Sequence, residues 1–118
     1  MIENFVSDKI VAVGGCEVCD GNDFHSNTEI FDFASNEWTE IEADFESNTI
    51  FAAPIVWLNG SFHIIGGQVG IDGVASDEVY QLDIEGEQWN HVGKIETARF
   101  GHAAVATDNG FVVFGGDR

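Results

Sequence analysis

Phe62-His63-Ile64-Ile65-Gly66-Gly67 is a short run of apolar and aromatic side chains closed by two glycines. A run of that length ending in glycine reads as a buried strand running into a turn. The same form occurs as Ile10-Val11-Ala12-Val13-Gly14-Gly15 and as Phe111-Val112-Val113-Phe114-Gly115-Gly116, with the glycine pairs 52 and 49 residues apart. A second landmark keeps this beat. Glu29-Ile30-Phe31-Asp32-Phe33 returns after 49 residues as Glu78-Val79-Tyr80-Gln81-Leu82, and both alternate like strands with two different faces. Trp38 returns after 51 residues as Trp89. Phe100-Gly101-His102-Ala103-Ala104-Val105 has a looser counterpart in Phe51-Ala52-Ala53-Pro54-Ile55-Val56. Independent landmarks at one period indicate an internal repeat.

The repeat predicts a strand map. First strands fall near 51–57 and 101–106, and second strands near 9–13, 61–65 and 111–114. Third strands fall near 29–33 and 78–82, and fourth strands near 38–41 and 89–92. Asn59-Gly60 and Asn109-Gly110 sit between first and second strands as hairpin signals. Turns from third to fourth strands are expected at 34–37 and 84–88. Helical periodicity is absent, so each unit is expected to be a four-stranded antiparallel meander. The chain then divides into residues 1–49, a unit lacking its first strand; 50–98, a complete unit; and 99–118, the first half of another.

An apolar strand ending in Gly-Gly, then Glu-x-Phe/Tyr, then a tryptophan, resembles the Kelch repeat. The resemblance implies an all-β fold of Kelch-type β-propeller blades. It assigns structural roles to Gly14, Gly15, Glu29, Phe31 and Trp38, to Gly66, Gly67, Glu78, Tyr80 and Trp89, and to Arg99, His102, Gly115 and Gly116. The second unit departs from the pattern, with Ile50-Phe51-Ala52-Ala53 where the third has Arg99-Phe100-Gly101-His102. At about 50 residues per blade the chain encodes roughly two and a quarter blades, whereas closed propellers typically use about 4–8. A partial chain is therefore expected, with an incomplete propeller that further Kelch repeats of the parent chain, or self-association, would close.

The 118 residues include 21 acidic and 4 basic side chains, a formal charge of −17. Such a field repels phosphate and argues against nucleic acid or an anionic membrane as partner. An apolar share of 44% is enough for a core. No apolar stretch approaches the roughly 18 residues of a spanning helix, and residues 1–8 lack the features of a secretory leader. Cys16 and Cys19 have Cys-x-x-Cys spacing without a second pair, so reduced loop thiols are expected and no metal or cofactor. A reducing cytoplasmic setting follows. His102 and His63 read as packed or pore-facing groups, with no catalytic partner nearby in sequence.

Loops held by a rigid scaffold are the preferred place for binding residues. The long ones, 16–28, 42–50, 68–77 and 93–100, are expected at one end of the sheets. Glu17, Asp20, Asp23 and His25, with Gln68, Asp72 and Asp77, are the partner-binding candidates there. The resemblance implies a non-catalytic module that binds a protein partner, here a basic one, in substrate recognition, scaffolding or actin association. The alternative is an enzyme resembling galactose oxidase or sialate epimerase. Tyr80, the single tyrosine, is already assigned to packing, and no His–carboxylate–Arg set recurs across the repeats.

Overall fold

The computed structural model describes residues 8–14, 27–41, 50–69 and 73–117. All regular structure among them is antiparallel strand. The first unit is a meander of β1 (Lys9–Val13), β2 (Thr28–Asp32) and β3 (Glu37–Ile41). The second contains β4 (Ile50–Phe51), β5 (Ile55–Leu58), β6 (Ser61–Ile65), β7 (Gln68–Val69), β8 (Val74–Asp83) and β9 (Gln88–Arg99). Here β8 pairs with β6 and β7 along one side and with β9 along the other. Because β4 pairs with β7 and β5 with β6, β4–β5 and β6–β7 each act as one long strand with a break in it. The third unit is the hairpin of β10 (Ala103–Thr107) and β11 (Gly110–Phe114). These strands form blades in series and do not close a ring.

Three local expectations need correction. The predicted first strand 51–57 is interrupted, because Ala52 takes φ 57° and Pro54 has no N–H for the ladder. Among the described residues the expected loops 68–77 and 93–100 are largely strand: β7 pairs with β8, and β9 continues to Arg99. A register shift between Ser76 and Glu78 and another between Val79 and Tyr80 absorb the extra β9 residues as bulges. Finally, Asn59-Gly60 forms the expected two-residue turn, with φ of 52° and 81°. In the third unit Thr107 pairs with Gly110, so the turn is Asp108-Asn109 and Gly110 opens β11.

Each unit has two apolar faces, and they are used in the same sense along the chain. Ile30 and Ile41 of the first unit pack with Phe62 and Leu82 of the second, alongside Val11, Trp57 and Trp89. The other side of the second unit, with Val56, Ile65 and Val79, packs on Ala104, Phe111 and Val113 of the third. Phe111 and Val113 thus meet the second unit as their counterparts Phe62 and Ile64 meet the first. The outward faces at the two ends stay open. Ile10, Phe33 and Trp38 are 45%, 58% and 53% exposed on one, and Val105, Val112 and Phe114 are about half-exposed on the other.

Candidate functional site

Gly66-Gly67 and Gly115-Gly116 lie where the connection between the second and third units crosses the sheet. After β9 the chain passes the break in the second unit, and the Gly67 N–H donates to the Arg99 carbonyl at 2.8 Å. Gly101 N–H donates to the Ala52 carbonyl, also at 2.8 Å. Phe100 and Asp117 exchange two backbone bonds of 2.9 Å, tying the connection to the end of β11. Such proximity needs bare backbone. A Cβ at Gly66 would lie 2.9 Å from the Arg99 carbonyl oxygen and 3.0 Å from His102 Cε1, at a φ of +66°. One at Gly116 would lie 2.6 Å from the Phe100 carbonyl oxygen.

His102 is wedged between these two glycines. Both ring nitrogens are buried without a hydrogen-bond partner among the described residues. Burial lowers its pKa, the Arg99 charge acts in the same direction, and the Ile65 backbone pulls the other way without reaching hydrogen-bond geometry. A neutral imidazole in this position packs the junction. His63 in β6 is also buried, its pKa lowered by burial against an opposing bond from Nδ1 to the Ser61 carbonyl at 3.2 Å. Tyr80 meets His91 edge-on, with 5.5 Å between ring centroids, and burial followed by the Glu78 charge raises its pKa. It stays a neutral packing group at ordinary pH.

Between the first and second units, Trp89 donates from Nε1 to Thr28 Oγ1 at 3.0 Å. Thr28 is fully buried. Its role was not visible in the sequence, because nothing near Thr28 marks it as the acceptor for a tryptophan 61 positions away.

The described basic side chains face acceptors of the chain itself. Lys9 Nζ lies 3.1 Å from Asp8 Oδ1 and 4.0 Å from Asp32 Oδ2, and Lys94 Nζ lies 3.4 Å from Glu78 Oε1. Glu78 also pairs with His91, and Arg99 donates to the Gly115 carbonyl at 3.2 Å. What remains toward solvent is a strongly acidic surface.

Of the partner-binding candidates, Gln68 lies in β7 and Asp77 in β8, so both sit on strands and not in a free loop. Gln68 Nε2 donates to the Gly73 carbonyl at 3.0 Å, closing the hairpin. Glu17, Asp20, Asp23, His25 and Asp72 lie outside the described residues, as do Gly15, Cys16 and Cys19. The strand ends that bracket them are placed. Thr28 pairs with Val13 on one side and Ile41 on the other, so segments 15–26 and 42–49 join the sheet at one end.

Residues 4–42, spanning the whole three-stranded first unit, match the Kelch motif. The first unit is a match to a Kelch repeat. Gly14, Glu29, Phe31 and Trp38 all fall inside the matched segment. No curated protein gives a significant match to the chain. The Kelch assignment fits the blade-like stacking of the units, and Kelch propellers are in general modules of protein interaction. Among the described residues no helix is long and apolar enough to cross a membrane.

Proposed function

We propose that this chain is part of a non-catalytic Kelch propeller that binds a basic protein partner in a reducing, cytoplasmic setting. On this reading residues 1–49, 50–98 and 99–118 are successive Kelch repeats. The open faces around Trp38 and Phe114 are covered by further repeats of the same kind. The observation that carries the reading is the matched Kelch motif on a three-stranded blade in which Val13, Thr28 and Ile41, the strand ends that flank the candidate loops, lie side by side. Glu17, Asp20, Asp23 and His25, with Gln68, Asp72 and Asp77 of the second unit, are the proposed contacts. A formal charge of −17 selects a basic surface and speeds its encounter. Substrate recognition, scaffolding and actin association all fit a module of this kind.

The test is affinity capture with the full chain as bait, run beside a variant carrying Glu17→Gln, Asp20→Asn, Asp23→Asn, Asp72→Asn and Asp77→Asn. The expected partner is recovered by the native chain, lost with the variant, and released as salt shortens the Debye length from about 10 Å at 0.1 M. Capture indifferent to both changes would overturn the acidic-loop reading.

A further inference from the structure

At the opposite end, where the turns are short, a groove of about 430 Å³ lies between the first two units. That volume falls within the roughly 300–1,000 Å³ of ordinary ligand pockets. Asp8 and Lys9, at the start of β1, line one side; Trp57, Phe62, Asp83 and Glu85 of the second unit line the other. The two units are already joined through Trp89 and Thr28. The groove is therefore independent of whatever covers the open end faces.

Its lining sets an aromatic ring and two carboxylates around one space. The Trp57 ring is held edge-on against Phe62, with 4.8 Å between centroids. Asp83 is fixed by the turn it caps, its Oδ1 accepting the Gly86 N–H at 3.0 Å. Asp83 and Glu85 are both exposed, and among the described residues neither is paired with a base. Lys9, the one cation in the lining, lies 3.1 Å from Asp8 and 4.0 Å from Asp32, two carboxylates of its own unit. A planar guanidinium is the group that both packs on an aromatic ring and donates to two carboxylates in fixed geometry.

We infer that this groove takes an arginine side chain from a basic segment of a partner protein, its guanidinium held between Asp83 and Glu85 beside Trp57. The inference shares with the proposed module the expectation of a basic protein partner, but it uses the other end of the blades.

The test is a titration of the isotope-labelled full chain with acetyl-arginine amide, followed by nuclear magnetic resonance. The expected result is a saturable shift of the Trp57 indole N–H and of the Asp83 and Glu85 amides. Acetyl-citrulline amide, of the same shape without the charge, should leave them unmoved. Glu85 makes no bond in the turn, so Glu85→Gln reports on charge alone and should weaken binding about three- to tenfold. The five-site loop variant should bind the amide like the native chain, which separates this site from the loops. Equal shifts with citrulline, or unchanged affinity in Glu85→Gln, would overturn the site. Free arginine binding more tightly than acetyl-Gly-Arg-Gly amide would overturn the assignment to a protein segment.

Discussion

Trp38 and Trp89 hold the same place in successive units, on the same face and opposite the third strand, yet their surroundings differ. Trp89 is half-buried among Ile64, Val13 and Tyr80 and bonds to Thr28 of the unit before it. Trp38 lies against Phe31, with 5.3 Å between ring centroids, and is 53% exposed. The glutamates of the motif differ likewise. Glu78 pairs with Lys94 and His91, whereas Glu29 stands opposite Glu40, a like-charge arrangement that weakens a strand pair. A motif residue in a stacked repeat therefore has no fixed energetic worth, because the neighbouring unit supplies most of it.

The largest test of this contrast is truncation of each tryptophan in the full chain. Trp89→Ala should destabilise by about 2–3 kcal/mol, below the range for a wholly buried aromatic because Trp89 is half-buried. Trp38→Ala should remove about 1 kcal/mol or less if its face is open, as surface changes usually do. Denaturant unfolding reads both, and equal losses would mean that Trp38 is covered in the working molecule.

A smaller effect separates two glycines that share positive φ. Gly66→Ala drives a methyl into the Arg99 carbonyl, whereas nothing lies within 4 Å of a Cβ at Gly60. Both variants carry a left-handed penalty of about 1–2 kcal/mol, and Gly66→Ala should add about 1–3 kcal/mol of overpacking. Matching melting temperatures for the pair would show that the crossing connection is not held against Gly66.

The smallest effect is a slope. His63 occupies the position that Val11 and Val112 fill in the other units, and its folded pKa is below the ordinary 6.5. Below pH 6.5 the unfolded chain binds the proton more readily, so stability complete above that pH declines until the folded pKa is passed. His63→Val, which makes the second unit resemble its neighbours, should flatten the fall in melting temperature between pH 7.5 and 5.5. His102 contributes in the same direction and leaves part of the slope. An unaltered slope would exclude His63 as a source.

Much of the blade pattern was legible because backbone chemistry writes it locally. Gly-Gly marks a close crossing, Asn59-Gly60 a tight turn, and period-two alternation a strand with two faces. The break at Ala52–Pro54 was obscured because the flanking apolar residues continue the strand pattern across it. The length of β9 was missed because Lys94–Arg99 mixes polar and apolar residues, and its bulges carry no compositional mark. Thr28 and the Asp83–Glu85 groove were not legible, since each depends on which surfaces the stacking brings together. The partner-binding candidates were chosen by loop length, and the structure reduces that ground for Gln68 and Asp77.

The two hydrogen bonds that the crossing connection makes to Gly67 and Ala52 have a consequence for dissection of the chain. The period places a seam between residues 98 and 99, but the acceptor at Arg99 and the donor at Gly101 complete the preceding blade. The length that is copied in sequence and the length that is sealed in space are therefore out of phase by a few residues. A fragment cut at the sequence seam would expose the Gly67 N–H and the Ala52 carbonyl, whereas one extended through His102 would retain both partners. The second blade is, in this sense, fastened shut by the first residues of the third.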